Sequence, residues 1–447
     1  MAPGGYVIKG GTIVTSKETF EADLRVENGV ITEIGFNLEG ESSLCVKGLH
    51  VLPGVIDTQV HFREPGLTHK EDLESGSRAA VFGGVTTFFD EPNVIPPTID
   101  SQALANKVKS ATGRSWANFC FWMGAAQSNL DELAKLEQLP GCPGIGEVFM
   151  GSSTGNLLVP DDGSLRIVLK NGSRRVAIHA EDEYRLEERR SLLSELPHVR
   201  EHPCLRDVES SVLATRRIIG LSAETGRPIH VLHVSTQEET SLLAEAKSQI
   251  ALTCEITPQH LTFTAEDYES LGSQIQMNTP IRESRHREAL WKAVEAGVFD
   301  VVGSDHAPHT REEKAAPYPG SPSGIPGVQT LLPVMLDFVS KGQIGLNQLV
   351  QMTSESPARL FGVEGRGKIA TGYAADLAIV DLSSTFEVTP DWLQSKCGWS
   401  PWMGRKLRGR PVHTVVNGKF ALREEAAGEP AAGQLVQFDW KTEPAVD

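Results

Sequence analysis

The pattern of apolar and polar positions changes texture twice along the chain. From Tyr6 to Gly35 short apolar runs (Val7-Ile8, Ile13-Val14, Leu24 with Val26, Val30-Ile31 with Ile34) are separated by Gly10-Gly11 and by Glu27-Asn28-Gly29. Asn-Gly between two apolar runs predicts a hairpin, because both residues tolerate the positive φ that a tight turn requires. Another strand is expected over 46–52, and Pro53-Gly54 breaks the chain after it. From Gly54 to about Gly362 strand-like runs at 55–60, 85–89, 119–123, 147–150, 176–178, 229–232 and 301–303 alternate with helical patterns. The helical patterns fall at 71–82, 130–136, 207–223, 237–246, 285–296 and 329–339. Strand–helix repeats over such a length predict parallel strands closed into a TIM-like (β/α)8 barrel. Beyond Gly362 the chain returns to short strands, 375–381 and 411–419, the second running into Asn417-Gly418. The expected organisation is a small β-sandwich domain built from both chain ends, 1–53 and 363–425, around a barrel over 54–362. Residues after about Glu424 are rich in Ala, Glu and Gly, and a tail over 426–447 is expected to be loosely held.

Polar residues with chemistry recur where these runs end. His61 follows the first, with Arg63 and Glu64 beside it; Asn93 follows the second. Glu147 opens Glu-Val-Phe-Met-Gly-Ser-Ser-Thr-Gly, His179 and His233 end their runs, and Asp305-His306 ends another with His309 close by. In α/β barrels the C-terminal ends of the strands carry the active site. Imidazole and carboxylate together are ligands for zinc, ahead of manganese or iron. Each residue also has a plainer reading. His230, between apolar neighbours, reads as a satisfied core histidine, and His306 as a loop-orienting one. Glu181, Asp182 and Glu183 read as acids capping the next helix, and Glu147 as a strand-start residue on the surface. His69, His198, His202, His286 and His413 show no partner pattern and read as surface or structural.

Composition narrows the partners. With 42 Lys and Arg against 58 Asp and Glu, the net charge of −16 argues against nucleic acid or an anionic membrane as the main partner. No apolar stretch is long enough to span a bilayer, and the N-terminus lacks the pattern of a secretory signal. Six scattered cysteines without a Cys-x-x-Cys pair predict reduced thiols in a cytoplasmic protein.

Taken together, the motifs resemble the dihydroorotases of the amidohydrolase superfamily, which stand close to hydantoinases and allantoinases. The resemblance rests on Pro53-Gly54-Val55-Ile56-Asp57 with His61-Phe62-Arg63-Glu64-Pro65-Gly66, on Glu91-Pro92-Asn93-Val94-Ile95-Pro96-Pro97-Thr98, which resembles the family's Met-Pro-Asn segment, and on His179-Ala180-Glu181-Asp182. It continues through His233-Val234-Ser235-Thr236, Glu255 to Leu261, Met277-Asn278, and Ser304-Asp305-His306-Ala307-Pro308-His309. It covers about residues 6 to 420. It implies a metal-dependent cyclic amide hydrolase that reversibly converts dihydroorotate to N-carbamoyl-aspartate in pyrimidine biosynthesis. A weak or inactive structural partner, or a hydantoinase- or allantoinase-type cyclic amidase, are the competing implications.

The same resemblance implies a well-formed zinc site from Glu147, His179 and His233. A second, weaker site would come from His61, Gln59 and Asp305, bridged by Glu147, giving one or two zinc ions per chain. Asp305 would be the catalytic acid–base. Arg63, Asn93, Asn278 and His309 would bind substrate, with Ser323 and Gly324 at the end of loop 317–324, a candidate lid or substrate-facing loop. A homodimer, and an association with aspartate transcarbamoylase, are implied as partners. Two departures from the family pattern matter, beside a smaller one at Gln259 in the Pro-x-His-Leu segment. Gln59 replaces the first His of His-x-His, and Glu147 stands where relatives carry a carbamylated Lys or an Asp.

Overall fold

The computed structural model describes residues 5–151, 157–193 and 197–440. The first five strands are β1 (Tyr6–Val14), β2 (Thr19–Glu27), β3 (Val30–Gly35), β4 (Ser42–Cys45) and β5 (His50–Pro53). Eight short strands follow: β6 (Val55–Val60), β7 (Val85–Asp90), β8 (Asn118–Phe121), β9 (Ile145–Phe149), β10 (Val176–His179), β11 (Ile229–Val231), β12 (Leu252–Ile256) and β13 (Val301–Val302). The last four are β14 (Leu377–Glu387), β15 (Lys406–Val416), β16 (Lys419–Arg423) and β17 (Ala426–Ala427).

Strands β6 to β8 pair in parallel, as do β9 to β13. Two bridges close the ring: Met123 pairs with Ile145, joining β8 to β9, and Val60 pairs with His306, joining β6 to the end of β13. The result is the expected eight-stranded barrel. Its strands are buried along their whole length, the signature of parallel strands covered on both faces. Inside, Ile56, Phe89, Trp122, Ala177, Leu232 and Val301 pack with Phe361 as one apolar cluster.

Helix termini follow local chemistry. Asp72 caps Leu73–Phe82 by accepting the backbone N–H of Glu74 and Ser75, and Thr236 with Glu239 forms a capping box on Gln237–Ala246. Glu64, next to Arg63 in the leading motif, is structural: it accepts the Leu73 N–H and pairs with Arg114.

The two chain ends meet in one mixed sheet of order β17-β16-β15-β14-β5-β1-β2-β3, with β4 on β1. The Asn28-Gly29 and Asn417-Gly418 turns both form with positive φ at each residue. They also touch. A Cβ on Gly418 would lie 2.6 Å from Gly29 Cα, so glycine is needed for contact as well as for φ. Asp376 ties sheet to barrel by accepting from Asn118 Nδ2 (2.9 Å) and the Asn417 N–H (2.6 Å) and pairing with Arg366.

The tail differs from expectation. Through residue 440 it is held in place; residues 441–447 lie outside those described. Phe119 N–H donates to Gln434 O and Val436 N–H to Phe119 O, each at 3.0 Å, and Asp439 N–H donates to Gly362 O at 2.8 Å. Val436 is fully buried, and Phe438 meets Phe89 edge-on with ring centroids 6.0 Å apart. The Ala-, Glu- and Gly-rich composition ends before the anchoring residues Leu435, Val436, Phe438 and Trp440. Cutting the chain after Gly428 is expected to lower unfolding free energy by about 3 kcal/mol or more, since each large apolar side chain contributes roughly 1.5–3 kcal/mol on burial. Chemical denaturation measures this; an unchanged midpoint would mean the tail adds nothing.

Candidate metal and substrate site

Glu147 sits in the middle of β9, not at a surface strand start, and only 2% of it is exposed. Its Oε1 lies 3.0 Å from His179 Nδ1, at the end of β10, and 3.2 Å from His233 Nε2, just past β11. Its Oε2 faces His61 Nε2 at 3.9 Å. One ligand atom from each of Glu147, His179 and His233 lies within 4.8 Å of the other two. The His179 and His233 rings meet at 75° with centroids 4.7 Å apart. Two imidazoles and a carboxylate converging in a buried pocket match the donor set of a zinc site.

His179 is fixed from behind. Its Nε2 meets Glu181 Oε2 at 2.8 Å, and Glu181 forms an ion pair with Arg206 at 3.0 Å. Glu181 is therefore not a helix cap. Asp182 is the cap of Glu183–Arg190, accepting the Arg185 N–H. A carboxylate behind a ligating imidazole sets its tautomer and orientation. Glu181 and Asp182 are adjacent and both buried; only their partners, His179 and Arg206 for one and the Arg185 N–H for the other, tell them apart, and the sequence does not show those.

Burial opposes ionisation of Glu147, but hydrogen bonds from His179 and His233, and their charge, hold its carboxyl well below the usual range. Burial likewise disfavours charge on His179, yet its bonds to Glu147 and Glu181 raise it to about 9. Glu181 is depressed to about 2: the Arg206 charge and the His179 bond outweigh burial.

His61 Nε2 is 3.2 Å from Asp305 Oδ1, and its Nδ1 is 2.8 Å from Asn93 Oδ1. Arg63 lies across the same cavity, its Nε donating to Pro308 O at 3.2 Å and its Nη2 3.2 Å from His309 Nε2. His309 is held neutral first by burial, then by the charges of Arg63, Lys70 and Lys314. Lys70 Nζ approaches its Nδ1 at 3.0 Å, so Nδ1 accepts and Nε2–H donates to Ser323 O at 2.9 Å. The cavity wall includes His61, Arg63, Asn93, Glu147, His179, Asn278, Asp305, His309, Ser323 and Gly324, with Phe149 and Ala307. Three of the site's residues bend the backbone into the left-handed region, Arg63 (φ +62°), His233 (φ +33°) and Asp305 (φ +43°). Such strain costs roughly 1–3 kcal/mol per residue and collects at functional sites.

His233, Gln59 and Glu91 are all buried, and none of the three lines the cavity. Neither amide atom of Gln59 and neither carboxylate oxygen of Glu91 has a hydrogen-bond partner. Burial, then Glu147 and Asp90, push the Glu91 carboxyl well up.

Three further histidines fall out as follows. His230 Nδ1 bonds Thr253 Oγ1 at 2.8 Å in the core. His306 Nδ1 accepts the N–H of Gly327 (3.0 Å) and Val328 (3.2 Å), which fits its loop-orienting role. His202 is buried, its Nε2 3.1 Å from Asn278 Oδ1 and 3.0 Å from Met277 O. The end of loop 317–324 is anchored. Lys314 Nζ donates to Gln276 O, Pro322 O and Gly324 O, and Ser321 is buried against Gln276. The segment quoted after Glu147 continues into residues 152–156, outside those described.

Comparison with known proteins agrees with this geometry. The family model described as "Amidohydrolase family" matches residues 164–421. The chain is 36% identical over 445 residues to a protein named dihydroorotase from Methanosarcina mazei, covering 96% of this chain and 97% of that one. It is 31% identical to one of the same name from Pyrococcus furiosus, covering 96% of each. Among solved structures, an L-hydantoinase (dihydropyrimidinase) from Arthrobacter aurescens superposes with a TM-score of 0.91 at 29% identity, over 96% of this chain and 99% of that one. A dihydropyrimidinase from Brevibacillus agri gives a TM-score of 0.90 at 26% identity, over 98% and 100%. A family match over more than half of the chain, and relatives alike over nearly all of it, leave one conclusion: the chain belongs to the amidohydrolase family.

Proposed function

We propose that the chain is a dihydroorotase, a zinc-dependent hydrolase that reversibly opens dihydroorotate to N-carbamoyl-aspartate. One observation carries the choice of substrate. A buried guanidinium, Arg63, shares a cavity with Glu147, His179 and Asp305. Burial lowers its pKa only to about 10, so it stays charged at neutral pH. A buried cation calls for an anion, and a planar guanidinium fits a carboxylate in a two-pronged contact. Dihydroorotate carries that carboxylate; hydantoin and dihydropyrimidine rings do not.

A divalent ion held by Glu147, His179 and His233 would supply Lewis-acid polarisation of the scissile carbonyl and would lower the pKa of water toward about 7. The chain's own residues do the rest. Arg63 and His309 fix the carboxylate end; Asn93 and Asn278, the latter backed by His202, orient the ring. Asp305 takes a proton from the attacking water as its oxygen adds to the ring carbonyl. It returns that proton to the ring nitrogen as the C–N bond breaks. Asn93, on Nδ1 of His61, leaves the Nε2 of that ring facing Asp305, so the carboxylate is aimed before substrate arrives.

Arg63→Ala is expected to cut kcat/KM for dihydroorotate by about 10- to 150-fold, since a charge-assisted contact contributes roughly 1.5–3 kcal/mol and 1.4 kcal/mol is tenfold. Turnover of an uncharged hydantoin, however slow, should be spared. Equal loss on both substrates would make Arg63 structural, and a wild type that turns over hydantoin but not dihydroorotate would reverse the assignment.

Proton linkage gives a second expectation. In the metal-free chain His179 titrates near 9 instead of its ordinary 6.5, so at neutral pH an incoming ion displaces a proton. Zinc affinity should therefore rise with pH up to about 9, with proton release visible by calorimetry in buffers of different ionisation enthalpy. The folded pKa lies above the unfolded one. The protonated ring thus stabilises the metal-free fold fully below about 6.5, and that contribution fades as pH climbs through 9. Zinc affinity that does not change with pH would count against His179 as a ligand.

A further inference from the structure

The segment Gln276-Met277-Asn278 reaches the cavity with its backbone fixed from two sides. Lys314 Nζ donates to Gln276 O at 3.1 Å, and His202 Nε2 lies 3.0 Å from Met277 O. His202 opens the short helix His202–Leu205 and is 4% exposed. The same Nε2 stands 3.1 Å from Asn278 Oδ1. Asn278 lines the cavity together with Arg63, Glu147, His179 and Asp305. With the backbone held, one freedom matters to a ligand: which end of the Asn278 amide faces it.

The main chain settles that question. A carbonyl oxygen only accepts, so the His202 Nε2 beside Met277 O carries the hydrogen. Nδ1 then carries the lone pair and faces the Tyr318 hydroxyl at 3.4 Å. Burial pushes that hydroxyl up to about 12, so it keeps its proton to donate. Burial, then the charge of Arg206, lowers His202 to about 3, so the ring stays neutral. An Nε2–H in this place accepts only an acceptor as its second neighbour. Turning the amide over would set NH2 against N–H, two donors facing each other out of solvent. Asn278 therefore gives Oδ1 to His202 and keeps its NH2 for the cavity. That NH2 makes no bond to any described residue.

We propose that His202 is a positioning residue that fixes Asn278 as a hydrogen-bond donor, so that this wall of the cavity takes a carbonyl oxygen of the substrate ring and rejects a ring N–H in the same place. The proposal rests on the reading of the cavity as a cyclic-amide site. A cyclic amide carries C=O and N–H side by side, and a ring turned over would bring N–H to where C=O belongs. A wall of fixed polarity discriminates between the two placements, because the wrong one leaves donors unpaired. Arg63 answers the charge of the substrate; His202 and Asn278 answer the orientation of its ring.

The test is a double-mutant cycle on the full chain. kcat/KM is measured on dihydroorotate and on an uncharged hydantoin for the wild type, His202→Leu, His202→Gln, Asn278→Ala, Asn278→Asp and the pair His202→Leu with Asn278→Ala. Bound metal and melting temperature are recorded for each. On whichever ring the wild type opens, His202→Leu should lower kcat/KM about tenfold, the order of one hydrogen bond. His202→Gln, which carries an amide N–H at similar reach, should restore most of the loss. Because His202 acts through Asn278, His202→Leu should cost nothing further in the Asn278→Ala background, and bound metal should match the wild type's throughout. Asn278→Asp keeps the acceptor for His202 and loses the inward donor, so on the uncharged ring it should do no better than Asn278→Ala. That last comparison leaves His202 untouched and decides the matter even if His202→Leu does not fold. Losses that simply add in the pair, His202→Gln as poor as His202→Leu, or Asn278→Asp above Asn278→Ala on hydantoin would overturn the proposal and leave the dihydroorotase reading standing. A wild type that opens hydantoin alone would reverse the choice of substrate, and the same cycle read on hydantoin would still decide the role of His202. A wild type that opens neither ring would sink both readings.

Discussion

Glu147 carries a negative charge almost wholly out of solvent, and three imidazoles from separate parts of the barrel surround it. His179 and His233 take one oxygen, His61 faces the other, and Asp305 approaches His61 from the closing strand. A buried carboxylate is stable only with such company. The arrangement therefore needs the ring to close. The Val60–His306 bridge brings the ends of β6 and β13 together, and without it His61 and Asp305 would not meet. Closure of the sheet and assembly of the site are the same event.

The surrounding shell is built to resist relaxation. Arg63, His233 and Asp305 hold unfavourable backbone angles. Glu255 and Asp57, deeper in the barrel, are raised by burial to about 8 and about 7. These features cost stability and persist because the frame around them is rigid. Glu181 and Arg206 brace His179; His202 braces Asn278; Lys314, donating to three carbonyls, pins the Gln276 and Pro322–Gly324 segments against each other. Loop 317–324 is thus a fixed wall at its inner end. Trp399 adds a brace from outside the barrel by donating to His309 O at 2.7 Å.

The cavity is lined by an acid–imidazole group, Glu147, His179, His61 and Asp305, and by the cationic Arg63, beside which Lys70 and Lys314 act on His309. On the reading proposed above, that polarity would orient an anionic cyclic amide with its carboxylate toward Arg63 and its scissile bond toward Glu147 and Asp305. Structures named hydantoinase share the frame, so the frame does not select substrate; a few side chains at the rim do.

The sequence by itself determined the strand–helix rhythm, the Asn-Gly turns, the residue types available for chemistry and their order along the chain. These are local: periodicity, turn geometry and strand ends are written within a few residues. It also drew attention to Gln59 and Glu147 as departures. It could not tell Glu181 from a capping acid, Glu147 from a strand-start residue, or the anchored half of the tail from its Ala- and Gly-rich beginning. Nor did it single out Lys70, and it read His202 as surface or structural. What distinguishes those residues is which groups stand next to them across 30 to 250 positions of chain, and such neighbours exist only once the barrel has closed. Burial then decides the rest, because the same carboxylate that solvates freely on a surface needs a proton, a partner or a cation inside.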